Sequence, residues 1–130
     1  MSNRTNVSSQ SIYEPAVGYS RAVRVGNLVS VGGTAPIAAG GGTAAKGDVY
    51  GQTKRCLEIV AKALADAGAG MEHTVRTRIL LTDIAQWKEA ARAHAEIFGS
   101  IRPVTTLMQV SAFVDPDWLV EIELDAVIPE

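Results

Sequence analysis

The 130-residue chain has a single cysteine, Cys56. One thiol excludes an internal disulfide and any zinc site built from several cysteines. Aromatic residues make up 5% of the chain, and twelve basic against fourteen acidic side chains leave a formal net charge of −2. With no cationic surplus and few aromatics to stack on bases, nucleic acid is not an expected partner. No apolar run reaches the roughly 18–20 residues that a membrane span requires, so a membrane is not expected either. The first ten residues, Met1 to Gln10, are polar and lack the hydrophobic stretch of a signal peptide, which makes the cytoplasm the expected location. What remains is the composition of a globular domain, 47% hydrophobic and 20% charged. A chain of this length buries roughly two-thirds of the surface it would expose unfolded, enough for one core and no second domain.

The hydrophobic pattern predicts two long helices. From about Asp48 to Ala67, the residues Cys56, Ile59, Val60, Ala63, Leu64 and Ala67 recur by threes and fours, and Gly68 supplies a left-handed stop. The second helix opens on Asp83-Ile84-Ala85-Gln86, a capping pattern. It carries the stripe Trp87, Ala90, Ala91, His94 and Phe98 and closes at Gly99. Period-two alternation predicts strands over 74–82, 104–110 and 118–126, preceded by a hairpin of 21–25 and 28–35 turning at Gly26-Asn27. Both tryptophans, Trp87 and Trp118, fall on apolar faces and are expected in the core. The order β-β-α-β-α-β-β suits an α+β domain, with two helices on one face of a mixed sheet. The domain is placed at 15–130, behind a flexible polar tail at 1–14. The other sheet face collects Glu121, Glu123 and Asp125 from the last strand and Arg76, Arg78 and Leu80 from the middle one, with Leu107 placed among them. It is either a solvated surface or the contact face of a symmetric oligomer, and alternation alone does not choose.

Few groups nominate chemistry. The run Gly40-Gly41-Gly42-Thr43-Ala44-Ala45-Lys46-Gly47 lacks the Lys-Ser/Thr that a phosphate loop needs before its helix, so it reads as a flexible connection. His73 and His94 have no carboxylate at a ligand spacing, and no metal is expected. Cys56 reads as a buried structural thiol. No serine or cysteine stands beside a positioned base. Glu121 is the exception. Flanked by inward-facing Val120 and Ile122, it is either a solvated strand carboxylate or, if another subunit covers its face, a desolvated acid with a raised pKa.

Several segments resemble one known family in order and spacing. They are Gly18-Tyr19-Ser20-Arg21-Ala22-Val23, the run Gly26 to Pro36, Gln52 with Leu57 to Gly68, Val75 to Asp83, Phe98, Arg102-Pro103 and Val120-Glu121-Ile122-Glu123. The chain is similar over residues 15–128 to the Rid proteins, the reactive intermediate deaminases also called the YjgF family. The resemblance implies a chorismate-mutase-like fold and a homotrimer with three small-molecule clefts at the subunit boundaries. It also implies hydrolysis of short-lived enamines or imines such as 2-aminoacrylate to a 2-keto acid and ammonia, with no cofactor.

Carried over by position, the family's glutamate is Glu121, its amino-terminal tyrosine is Tyr19, and its glycine after the second strand is Gly33. Gly32 stands for a serine and Ala91 for an asparagine. Thr105 stands for the arginine that grips the substrate carboxylate, and Leu107 for a cysteine, with Thr106 between them in the same backbone segment. Threonine offers one neutral hydroxyl where arginine offers a charged fork, and hydrogen bonds to charged groups contribute about 1.5–3 kcal/mol each. The loss is worth about 10- to 200-fold in affinity for a small imino acid. The chain is therefore expected to handle 2-aminoacrylate weakly or not at all unless Arg102, Arg76 or Arg78 takes over the grip. The alternatives are a deaminase for another enamine, imine or related metabolite, or a trimeric binding protein without chemistry.

Overall fold

The computed structural model describes residues 3–130. Its sheet has six strands: β1 (Arg4–Val7), β2 (Ala22–Val25), β3 (Leu28–Thr34), β4 (Thr74–Leu81), β5 (Val104–Gln109) and β6 (Val120–Val127), in the spatial order β1-β2-β3-β6-β4-β5. Three α-helices accompany it, α1 (Tyr13–Val17), α2 (Val49–Asp66) and α3 (Trp87–Phe98). All pairings are antiparallel except β4 with β5. The first long helix lies where the periodicity places it, whereas the second begins only at Trp87, because Asp83 caps a separate 3-10 turn over Ile84–Gln86 by accepting from the Ala85 amide. Asp48 caps α2 by accepting a hydrogen bond from the Gly51 amide, and Gly68, at φ 87°, ends it while Ala69 N–H closes back onto the Leu64 carbonyl. Leu57, Val60 and Leu64 of α2 are fully buried against Val29, Ile79, Val120 and Ile122 of the sheet. Burial of each such side chain stabilises the fold by about 1.5–3 kcal/mol.

The segment read as a flexible tail is more ordered than that reading allows. Met1 and Ser2 lie outside the described residues, but Arg4–Val7 pairs with β2 and adds an edge strand ahead of the expected hairpin. The stretch after it is pinned by Glu14, whose carboxylate accepts from the Ser9 amide at 3.0 Å and the Ser9 hydroxyl at 2.7 Å. Polarity in the sequence hid this, because an edge strand needs no apolar face of its own.

Three further readings change. Val75 is 47% exposed because a bulge between Thr74 and Arg76 breaks the alternation of β4. Trp87 is 45% exposed, whereas Trp118 is buried. The buried stripe of α3 is Ala90, Ala93 and Phe98, so the first helical residue overhangs the sheet. On β5 the faces are opposite to those expected. Leu107 sits beside Ile79 and packs on the core, Thr105 sits beside Thr77, and Val104 and Met108 face away, 60% and 37% exposed. Alternation shows only that residues take turns, and the parallel register with β4 decides which side each takes. Leu107 therefore leaves the bare sheet face. Arg76, Arg78 and Leu80 stay there beside Glu121, Glu123 and Asp125, with Arg78 and Glu123 3.4 Å apart.

Candidate functional site

A cleft of about 730 Å³ opens where β3 leaves the sheet and β6 enters it. The segment from Ser9 to Arg21, the loop at 35–41 and the side of α2 bearing Arg55 and Ile59 wall it. That loop is hydrogen-bonded rather than slack: Ile37 bridges Thr43, Ala44 N–H reaches the Pro36 carbonyl, and Arg55 Nε holds the Ile37 carbonyl at 2.6 Å.

Glu121 reaches the cleft because the sheet is irregular there. Val31 pairs with Leu124 and Thr34 with Ile122, so Gly32 and Gly33 together oppose one residue of β6. At this bulge the Gly33 backbone approaches so closely that a Cβ on it would lie 2.7 Å from Glu121 Oε1. Gly32 has no such neighbour, the nearest atom being the Arg21 carbonyl at 3.9 Å, so the two glycines are not equivalent. Half-buried, the Glu121 carboxylate accepts no hydrogen bond among the described residues. Burial raises its pKa. The Arg21 charge opposes that rise and the Glu123 charge adds to it.

Arg21 is the residue that the sequence did not reveal. It is 5% exposed, and its Nη1 donates to the Gly33 carbonyl at 2.5 Å, Thr34 Oγ1 at 2.9 Å and the Gly32 carbonyl at 3.3 Å. It thus serves the carbonyls that the bulge leaves unpaired and carries a positive charge toward Glu121. The guanidinium also lies 5.3 Å from the centre of the Tyr19 ring, which places Tyr19 at the same wall. The available signal was the Gly32-Gly33 doublet, which the hairpin register sets opposite Arg21. Cys56 is fully buried at 3.8 Å from the Val120 carbonyl, and burial with the nearby Glu121 charge pushes its thiol pKa well up. It is a buried structural thiol in the core, as expected.

The structure divides the remaining expected residues from this cleft. Thr105 and Arg102 line a separate cleft of about 320 Å³ beside His94 and Phe98. Thr106 lies on the bare sheet face next to Arg78, Leu107 is partly buried against the core, and Ala91 is half-buried on α3 and lines neither cleft. Tyr19, Gly32, Gly33 and Glu121 are brought together within one chain. His73 caps a turn by accepting from the Gly70 amide. Among the described residues no group of three or more His, Cys, Asp and Glu is placed to hold a metal, and no helix is long and apolar enough to cross a membrane.

Residues 9–128 match the family described as endoribonuclease L-PSP. An uncharacterised protein of Streptomyces coelicolor is 40% identical over 92% of this chain and 89% of its own length. The 3-aminoacrylate deaminase RutC of Acinetobacter baylyi is 32% identical over 83% of this chain and 85% of its own. A Mycobacterium tuberculosis crystal structure, described as a member of the YjgF/YER057c/UK114 family, superposes with a TM-score of 0.87 at 48% identity, covering 96% of this chain and 99% of that one. The fold is thus the α+β, chorismate-mutase-like one that the resemblance implied. The chain belongs to the L-PSP family, also known as the YjgF or Rid family.

Proposed function

We propose that this protein hydrolyses an enamine or imine metabolite other than 2-aminoacrylate, with Glu121 as the proton carrier. The observation behind this reading is a carboxylate held in a cleft, short of hydrogen bonds and with its pKa raised by burial. Such a group exchanges protons nearer neutrality than an ordinary glutamate. Protonated Glu121 gives its proton to the enamine carbon, which yields an iminium. The resulting carboxylate then takes a proton from water as its oxygen bonds to the C=N carbon. Glu121 then gives that proton to the amine nitrogen and takes the hydroxyl proton as ammonia leaves and the carbonyl forms, so it ends protonated as it began. The 3-aminoacrylate deaminase named among the relatives supports an enamine substrate.

The working unit in this proposal is a homotrimer whose subunits cover one another's bare sheet faces, where Val104 and Met108 lie exposed. Its small-molecule clefts then lie at the subunit boundaries. That arrangement would bring the Thr105 and Arg102 side of one subunit toward the Glu121 cleft of the next. The alternative, a binding protein without chemistry, is favoured by one observation: Thr105, standing for the family arginine, brings no charge to the cleft that it lines.

The test is ammonia release from freshly generated 2-aminoacrylate and from 3-aminoacrylate, with sedimentation to establish the oligomer. The expected outcome is weak or absent turnover of the first, measurable turnover of the second, and loss of at least 100-fold in Glu121→Gln with the oligomer intact, as for a removed general acid. No turnover of any enamine or imine, in a chain that still binds them, establishes the alternative.

A further inference from the structure

The cleft around Glu121 is far larger than a small enamine. At about 730 Å³ it has room for a drug-sized ligand, so a three-carbon substrate would leave the carboxylate in contact with water. One wall of this cleft is joined to the domain in a way that lets it move. The Arg21 amide donates to the Val7 carbonyl at 2.8 Å and Asn6 Nδ2 to Ser20 Oγ at 2.9 Å, which closes the base of a loop. Among the described residues, no hydrogen bond joins residues 8–19 to the rest of the chain. They bond to one another instead. The Glu14 carboxylate takes the amides of Ser9 and Ser11, and its carbonyl takes those of Gly18 and Tyr19. The segment is an Ω-type loop that holds its own shape and swings on its base without breaking a hydrogen bond.

Packing alone ties this loop to the domain, including the Tyr13 ring set edge-on to Trp118 at 5.6 Å. Such an aromatic pair biases an equilibrium by about two- to tenfold. The Trp118 side of the contact is fixed. Fully buried Gln52 of α2 donates to the Asp117 carbonyl at 2.9 Å and accepts from the Leu119 amide at 2.8 Å, bracketing the tryptophan. Two apolar side chains of the cleft meanwhile lack cover. Val17 on the loop and Val114 on the turn ahead of Trp118 both line it, yet they are 72% and 76% exposed, so neither covers the other.

We propose that residues 8–19 form a flap that closes the Glu121 cleft by carrying Val17 onto Val114, with the Tyr13–Trp118 contact as the catch released on closing. Closure takes both valines out of water and shrinks the cleft toward the size of a small substrate. It also excludes bulk water from Glu121, so that proton transfer takes place in a drier site. The flap rests on the deaminase reading only for the size of its ligand, and its motion is read without turnover.

The test is a cysteine pair, Val17→Cys with Val114→Cys, oxidised in the folded protein. Cys56 is fully buried and stays out of the exchange. A disulfide needs Cα atoms within about 7 Å, so it forms where the flap reaches the turn. The expected result is a cross-link within one chain, seen by mass spectrometry and reversed by reductant. Tyr13→Ala, which frees the catch, should speed it about two- to tenfold. The pair Ile12→Cys with Val114→Cys is the control, since Ile12 rides on the loop but does not line the cleft, and it should stay reduced. Ammonia release from 3-aminoacrylate should stop in the cross-linked form and return with reductant. A chain that cross-links in this way but turns over no enamine even when reduced keeps the flap and loses the deaminase reading. No cross-link, one formed only between chains, an equal rate in the Ile12 pair, a rate that Tyr13→Ala leaves unchanged, or turnover that survives cross-linking overturns the proposal.

Discussion

Two glutamates, Glu121 lining the cleft and Glu14 pinning the segment that walls it, are treated in opposite ways. Glu14, 7% exposed, receives the Ser9 amide, the Ser9 hydroxyl and, at 3.4 Å, the Ser11 amide. Burial alone would raise its pKa, but these hydrogen bonds outweigh burial and hold it below the usual carboxylate value. Glu121 receives no such bonds, and burial moves its pKa up. One carboxylate is a structural pin that never needs its proton. The other is left short of donors beside a glycine bulge, which weakens the fold locally and leaves a group able to exchange protons. Glu14 is held down by neighbouring donors and Glu121 is pushed up by burial without them, so substitutions that change donors test the contrast.

The largest effect is expected at Arg21, which organises the Glu121 side. Arg21→Met keeps much of the side chain's bulk while leaving the Gly32 and Gly33 carbonyls without their charged donor. Breaking one side of a buried charged network costs about 3–5 kcal/mol, read as a fall in the urea midpoint at fixed protein concentration. Because the Arg21 charge holds the Glu121 pKa down, the same variant should titrate Glu121 higher still by carboxyl NMR. A loss under about 1 kcal/mol, the scale of one ordinary hydrogen bond, would mean that the bulge stands without it.

Glu14→Gln comes next, with an expected cost of about 1.5–3 kcal/mol for weakening hydrogen bonds to a charged acceptor. Its folded pKa lies below the unfolded value, so the stabilisation is fully present above the unfolded carboxylate pKa. It is lost as pH falls through the depressed folded value. Wild type and variant should therefore differ at neutral pH and converge in acid. A difference that is the same at every pH would assign the effect to packing and remove the charge from the argument.

The same contrast explains what the sequence could and could not reveal. Helix α2, with its apolar stripe and Gly68 stop, and the alternation of β6 were legible because each follows from local periodicity and end chemistry. Glu121 was legible as a polar residue between two buried ones. The β1 strand was not, since a polar edge strand has no pattern of its own, and neither was the face of β5, which register with β4 decides. Arg21 was hidden for a similar reason. Its role depends on a bulge in the paired strand, and nothing within its own segment records that its neighbours' carbonyls are unpaired.

The smallest expected effect, and the one that bears most directly on the contrast, is the stability of Glu121→Gln. The Glu121 pKa is raised on folding, so the native state binds the proton more tightly than the unfolded chain does. Stability therefore declines as pH rises from the ordinary carboxylate value to the raised one, then stays level above it. Glutamine carries no charge to desolvate, so the variant should be slightly more stable than wild type at neutral pH and equal to it in acid. This is the opposite sign to Glu14→Gln in the same assay. A protein that gains stability from a substitution expected to abolish its turnover would show that the carboxylate is kept at the expense of the fold. Two glutamine variants that lose stability alike would instead make Glu121 a second pin, held by contacts that the bare carboxylate does not display.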